Sequence, residues 1–289
     1  GKYLTEDKNF FDETPQDENA VTIDPGMNCT ADVVFGWFVK ELLYAKEEDG
    51  VLYLDTWQHR AVAVNDENKL VAKAGSGDCP CKQFTLEVVS SGAERVAELA
   101  QRADHVIVCA GNQPLINARE EYDRPDIRLP KAQTALLDAA AAANESTLLY
   151  LVTGYPFAIN KEKDTAKAVL CSTHLGPCLG HVAAATVFGE NNPAGRTPTT
   201  WYRSVRDLPA LDDYDIAKNH VTYLYFRGKP LYAFGYGLSY TTFAYSNPTV
   251  KQENGEVIAT INVQNTGALD GDEVVQLYMS LPSSLPVSY

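Results

Sequence analysis

The chain has 289 residues, enough for two or three domains, and its 45% apolar and 21% charged residues are the balance of an ordinary folded protein. Its formal charge of −14 and pI near 4.8 set it against nucleic acid and anionic membranes, whereas an uncharged substrate such as a sugar meets no such penalty. No run of about 18 apolar residues occurs, so nothing reads as a membrane-spanning helix.

The opening, GKYLTEDKNFF, carries no signal-peptide pattern and reads as the middle of a β-rich fold. Residues 1 to about 88 continue as β. The runs GVLYLDTW, RAVAVND, KLVAKAG and KQFTLEVV alternate and are separated by Asp, Asn and Gly, as in a sandwich or barrel-like module. FGWFVKELLY is an aromatic-rich exception. Phe35, Trp37 and Phe38 form either a core cluster or a sugar-stacking face, and dense aromatics favour packing. GSGDC at 75–79 lacks the Lys and helix of a phosphate loop and reads as a surface turn.

The period turns helical at SSGAERVAELAQRAD. Ser91 and Glu94 have capping-box spacing, and Val96, Ala97 and Ala100 then share one face. HVIVCAG follows as a nearly all-apolar strand, the pattern of a strand buried on both faces. A charged stretch comes next, NAREEYDRPD at 117–126. PKAQTALLDAAAAAN is a second helix that starts at Pro130 and ends at Asn144. TLLYLVTG and KAVLCST are further strands, and GPCLGHVAAATVFG is a third helix closed by Gly189. This alternation signals a parallel α/β layer, in which ligands sit at the carboxyl ends of the strands. The Tyr- and Pro-rich segment up to LYAFGYGLSYTTFAYS is too apolar for a flexible linker and reads as a wrap that pins a domain surface. From about 247 the chain is β again. EVIATINVQNTG and GDEVVQLYMS read as strands joined by a turn, too few for a seven-stranded sandwich, so this last domain reads as incomplete.

The cysteines are Cys29, Cys79, Cys81, Cys109, Cys171 and Cys178. DCPCK has one residue between its cysteines, not the spacing of a zinc knuckle or a redox site, so neither metal nor cofactor is implied. Cys109 lies in an apolar strand and reads as a core thiol. NCT at Asn28 and NES at Asn144 are sequons that matter only in a eukaryotic secretory route.

Three constellations offer chemistry. Ser239 in GYGLSYT is outside any G-x-S-x-G elbow, which argues against a Ser/His/Asp triad. His174 and His181 flank the turn HLGPCLGH, where they bracket an anion or, more simply, cap a turn and decorate a helix surface. Glu120, Glu121 and Asp123 crowd together in the charged stretch. Negative neighbours raise a carboxyl toward the range of a general acid, while Arg119 and Arg124 oppose that shift. On spacing alone the stretch reads as a salt-bridged tether. Its place after a buried parallel strand raises the acid/base reading, in which a glycosidic bond is cleaved by two carboxyl groups.

The ordered set ADHVIVCAGNQPLINAREEYDRPDIRLPKAQTALLDAA, LVTGYPFAI, VFGENNPAGRTPTTWYRSVRDLP, DYDI, TYLYF and PLYAFGYGLSYTTFAY resembles the α/β sandwich domain of glycoside hydrolase family 3. TGALDGDEVVQLYMS resembles the opening strands of that family's fibronectin-type-III-like domain. The resemblance covers roughly residues 92–280. It implies a retaining, exo-acting β-glycosidase of β-glucosidase or β-xylosidase type, with a β-linked oligosaccharide or glycoside as substrate and no cofactor. In this family the nucleophile is an aspartate on a separate β/α barrel, and the acid/base is a glutamate shortly before Asp-Arg. That pattern selects Glu120, with Asp123 and Arg124 completing the loop. A one-residue-shorter spacing selects Glu121. The barrel's Ser-Asp-Trp and Lys-His patterns do not occur here, and LGPC stands where many members have P-G-Q-E.

The expectation is therefore an α/β chain in three parts. A β-rich inserted module, trefoil- or fascin-like by its GKYLT, occupies 1–90. A three-layer α/β sandwich carrying the acid/base loop occupies 91–246. An incomplete β-sandwich of fibronectin type III kind occupies 247–289. A companion barrel is the expected partner, without nucleic acid or membrane, and the expected location is extracellular or secreted. The chain alone is expected to be inactive. The alternative is a non-catalytic carbohydrate-binding or structural fragment that acts through its β module, with Trp37 and Trp57 as contacts.

Overall fold

The computed structural model describes residues 3–6, 27–31, 43–56, 59–73, 80–112 and 124–280. The chain divides into two units, residues 1–96 with 112–125, and residues 97–111 with 126–289.

In the first unit, β1 (Tyr3–Glu6) pairs antiparallel with β2 (Met27–Ala31). A four-stranded antiparallel sheet follows, in the order β3 (Leu43–Glu48), β4 (Val51–Thr56), β5 (Ala61–Val64), β6 (Leu70–Lys73). Asp49 (φ 51°) and Gly50 (φ 79°) make the β3–β4 turn, where an Asp-Gly pair with two positive φ values suits the strand twist. Thr56, Val62, Ala63 and Ala72 are buried in this sheet. KQFTLEVV does not form the expected strand. Phe84 alone bridges to Leu52, taking up a ladder position that β5 leaves open because it meets β4 only at Asp55 and Ala61. Leu86, Val88 and Val89 beyond it are exposed. Phe35, Trp37, Phe38, Trp57 and residues 75–79 lie outside the described residues.

Along the chain, α1 (Gly92–Gln101) joins the two units. Ser91 Oγ accepts from the Glu94 N–H at 3.4 Å, the Ser half of the capping box, and Ala100 is buried on the expected face. β7 (Val106–Gly111), β8 (Thr147–Val152) and β9 (Ala168–Ser172) form a parallel sheet in that order. The crossovers are α2 (Lys131–Ala143) and α3 (Glu162–Thr165). Register places Val108, Leu149 and Val169 side by side on one face, and Cys109, Tyr150 and Leu170 on the other. On the first face Thr147, Leu149 and Leu151 are fully buried. On the second, Ile107 is 48% exposed and Cys109 is exposed. The reading of Cys109 as a core thiol is thus corrected, as is full burial of β7. Both residues lie on the face opposite the buried Val108, and among the described residues nothing encloses them. Only the central strand, β8, is buried on both sides.

α4 (Leu179–Val187) follows β9. It is closed as expected at Gly189, where the Gly189 and Glu190 N–H groups return to the Thr186 and Ala185 carbonyls in a Schellman arrangement. Residues 190–242 then run without long elements but are held throughout. Asn192 Oδ1 accepts from Ser239 Oγ and the Tyr240 N–H, while its Nδ2 donates to the Asp270 carbonyl. Trp201 and Leu231–Tyr232 exchange backbone hydrogen bonds. A short α5 (Thr222–Tyr225) lies within this wrap. Last comes an antiparallel hairpin, β10 (Phe243–Glu253) and β11 (Glu256–Asn265), turned at Asn254 (φ 52°) and Gly255 (φ 84°). β11 thus pairs with the strand before it. Residues 271–280, read from their alternation as its partner, form no strand. An Asn-Gly turn is a stronger local hairpin signal than alternation alone, and 271–280 meets no open ladder among the described residues.

Candidate active site

The described residues on either side of the charged stretch, Gly111 before it and Asp126–Leu129 at its end and just after, are held by the parallel sheet and its helices. At the entrance, β7 ends at Gly111, whose φ is +137°. A Cβ there would lie 2.0 Å from the Val152 carbonyl oxygen on β8, so no side chain fits. Gln133, in the first turn of α2, closes this end. Its Oε1 accepts from the Gly111 N–H and its Nε2 donates to the Gly111 carbonyl, both at 3.0 Å.

At the exit, the Ala158 N–H donates to the Ile127 carbonyl at 2.8 Å, and Leu129 is buried. Asp126 Oδ1 accepts from the Arg128 N–H at 3.0 Å and Oδ2 from Arg128 Nε at 2.6 Å. The Arg128 hydrogen bond holds the Asp126 carboxyl below the usual carboxylate range. Asp126 is therefore ionised at neutral pH and unsuited to donate a proton, which removes it from the acids of this stretch. Its role is to turn the chain into α2.

Between these ends, Glu120, Glu121 and Asp123 lie outside the described residues. Arg124 is half-buried. The carboxyl ends of β8 and β9 form a stiff rim. Thr153 is buried, its N–H donates to the Ser172 carbonyl at 2.9 Å, and its hydroxyl donates to the Tyr155 carbonyl at 2.6 Å. Tyr150 and Ser172 share a hydroxyl–hydroxyl bond of 2.7 Å.

The other candidates do not assemble. His174 and His181 are both exposed. Ser239 spends its hydroxyl on Asn192, as a structural tie. Among the described residues no three His, Cys, Asp or Glu side chains converge as metal ligands. Cys81 is disulfide-bonded, which the reading of DCPCK did not anticipate. Sequence reasoning also passed over Gln133, since a glutamine in a first helical turn carries no signal of what it will cap.

A family model for the glycosyl hydrolase family 3 C-terminal domain matches residues 18–240. The periplasmic β-glucosidase of Salmonella typhimurium is 35% identical over 200 residues, which are 64% of this chain and 26% of that protein. The xylan 1,4-β-xylosidase of Xylanibacter ruminicola is 32% identical over 197 residues, 64% of this chain and 22% of that protein. Among solved structures, the β-glucosidase of Bifidobacterium adolescentis superposes with a TM-score of 0.56 at 30% identity, over 64% of this chain and 29% of that one. The β-glucosidase of Kluyveromyces marxianus in complex with glucose gives 0.55 at 26% identity, over 64% and 24%. The match thus spans about a quarter of the length of these relatives. With a matched segment covering most of its length, this chain belongs to glycosyl hydrolase family 3 and carries the family's C-terminal domain.

Proposed function

We propose that the chain is part of a retaining, exo-acting β-glycosidase of β-glucosidase type, and that Glu120 is its general acid/base. Asp123 and Arg124 complete the loop, and Glu121 is the fallback position. The nucleophile stands on a separate β/α barrel, and the two together cleave a β-linked glycoside. The observation that carries this reading is the anchoring of the described residues that flank this stretch. Gly111 with Gln133 at one end, and Ile127 with Ala158 at the other, deliver a carboxylate-bearing segment from the carboxyl end of a parallel strand.

The chain is organised as an inserted β module at 1–90, the α/β domain at 91–246 and the start of a fibronectin-type-III-like domain at 247–289. The protein works outside the cytoplasm, a reading supported by the disulfide-bonded Cys81 and by the periplasmic relative.

Glu120 protonates the glycosidic oxygen in the first step and deprotonates water in the second. In the complete enzyme, Glu120→Gln lowers turnover of poorly activated substrates by roughly 10²–10⁴-fold, and azide restores turnover of activated ones. Glu121→Gln, measured beside it, leaves turnover near wild type. Wild-type kinetics in Glu120→Gln would remove Glu120 from the role. The purified 289-residue chain hydrolyses nothing by itself, and intact mass of the native material finds the barrel joined to it or beside it.

A further inference from the structure

β10 and β11 are joined by the sequence's single Asn-Gly pair, Asn254–Gly255, in a turn whose φ values, 52° and 84°, are both positive. Residues 251–257 are all exposed. Among the described residues neither the Asn254 side-chain amide nor the Gly255 N–H has a hydrogen-bond partner. A Cβ built on Gly255 would have nothing within 4 Å. The hairpin is a sheet of two strands, so among the described residues no third strand braces its turn.

Asparagines elsewhere are held. The amide nitrogens of Asn144, Asn160, Asn192 and Asn265 donate to backbone carbonyls, and that of Asn191 donates to the Thr186 hydroxyl. After Asn68, the next N–H is that of Lys69, which Asn65 Oδ1 accepts at 2.9 Å. After Asn219, the His220 N–H donates to the Ala217 carbonyl. Asn247 precedes Pro248, which has no N–H. Asn254 thus combines a free amide, a free N–H on the following residue and no side chain beside it.

We propose that Asn254 is a site of spontaneous covalent modification, deamidating through a succinimide to aspartyl and isoaspartyl forms. The Gly255 backbone nitrogen attacks Asn254 Cγ, and the new C–N bond closes the ring. The Cγ–Nδ2 bond breaks, and the amide nitrogen leaves as ammonia with the proton given up by Gly255. Water, the only co-reactant, then opens the ring. Its hydroxyl adds to a ring carbonyl and its proton goes to the Gly255 nitrogen. Breaking the bond to Cγ leaves an aspartyl residue, and breaking the bond to the main-chain carbonyl carbon leaves an isoaspartyl linkage. The attack requires the Gly255 nitrogen to swing onto Cγ, so the left-handed turn must open first. An unbraced hairpin end is where such opening costs least. The two products act differently on the fold. An aspartyl residue keeps the turn, which Asp-Gly forms as Asn-Gly does, and adds a negative charge between the paired Glu253 and Glu256. The isoaspartyl form routes the backbone through the side-chain carbon and inserts an additional methylene between those two residues. The turn then no longer fits the ladder, and β10 and β11 part from this end. The site stands or falls independently of Glu120.

The test is ageing of the folded chain at mildly alkaline pH, followed by peptide mass mapping of every described asparagine. Conversion at Asn254 leads that at all the others, and isoaspartyl methyltransferase labels the same peptide. Asn254→Gln, which would have to close a larger and slower ring, loses the conversion with Gly255 untouched. Gly255→Ala loses it as well, because a side chain then stands beside the attacking nitrogen. Hydrogen exchange separates the products. The aged isoaspartyl fraction loses protection in β10 and β11, whereas freshly prepared Asn254→Asp keeps it. An intact Asn254 in the folded chain, over a period in which the urea-unfolded chain converts at that position, overturns the proposal. So does earlier conversion at another described asparagine, or an isoaspartyl fraction whose hairpin protection is unchanged.

Discussion

Gln133 satisfies both backbone polar groups of Gly111, the last residue of β7, from the first turn of the helix that follows the charged loop. The strand end and the helix start are thereby locked together. Gln133→Ala leaves the Gly111 N–H and C=O without this partner. It should cost about 1–3 kcal/mol of stability in urea titrations of the chain. Gln133→Glu keeps the acceptor and loses the donor, and should fall between the two. Gly111→Ala should be worse than either, because its Cβ meets the Val152 carbonyl at 2.0 Å and its φ is unsuited to alanine. Wild-type stability in Gln133→Ala would show the contact to be incidental.

The α/β layer was legible because its signals are local. All-apolar runs marked β7, β8 and β9, and Pro130, Asn144 and Gly189 punctuated the helices. Features that depend on distant partners were not legible. Cys109 is apolar by neighbourhood yet exposed, because burial is set by what covers a sheet face, not by the strand's own composition. Residues 271–280 alternate as a strand does, but alternation predicts a ladder only where an edge is available. The reverse held at Asn254–Gly255, where a two-residue turn signal outweighed the spacing of the apolar residues around it. At the candidate site the sequence selected Glu120 by resemblance. The tethering pair Gly111–Gln133 emerged only with the fold, since its separation announces nothing, whereas Asp126–Arg128 is a local turn of the kind an Asp makes with the backbone two residues on.

Asn144 sits in a sequon, but its amide is already committed. Nδ2 donates to the Ala100 carbonyl at 3.0 Å and the Ala103 carbonyl at 2.7 Å, capping the end of α1. Its Oδ1 accepts from the Ser146 N–H at 2.8 Å. A glycan on Nδ2 would remove one of those donors and crowd a partly buried position. Material secreted from a eukaryotic host should therefore carry no glycan at Asn144 by peptide mass spectrometry, and Asn144→Ala should cost about 1–2 kcal/mol. Full occupancy at Asn144 in folded protein would contradict this geometry.

Cys171 is solvent-exposed as a residue, yet burial of the thiol pushes its pKa up to about 11 from an ordinary 9.0. The thiol decides reactivity, since only the thiolate attacks. At pH 8 iodoacetamide should modify Cys171 in the folded chain roughly ten- to a hundredfold more slowly than after unfolding. The sign for stability follows from proton uptake. The folded state keeps this proton where the unfolded state releases it, so the contribution is intact below pH 9 and is lost as pH rises through about 11. Replacing Cys171 with Ala should flatten that part of the pH–stability curve. Equal labelling rates in native and unfolded protein would sink the assignment.

Arg196 and Glu273 form an ion pair at 2.9 Å with side chains only 11% and 17% exposed. The carboxylate also accepts from the Tyr245 hydroxyl at 2.9 Å on β10, so one glutamate ties the wrap after α4 to the terminal hairpin. Both charges have been taken out of water, which makes each dependent on the other. Glu273→Ala leaves the Arg196 guanidinium with its backbone contacts to Ala194 and Gly195 but no counter-charge. That single change should cost about 3–5 kcal/mol, whereas the double change Arg196→Met with Glu273→Leu should cost much less, because no unpaired charge stays buried. A double-mutant cycle in urea should therefore give a coupling above 1 kcal/mol, well beyond the roughly 0.2–1 kcal/mol of an exposed pair. Native-state hydrogen exchange should place the loss in β10 and β11 and leave β8 protected. Additive single-mutant costs, or exchange that rises equally in β8, would mean that the pair adds charge balance without joining the two parts.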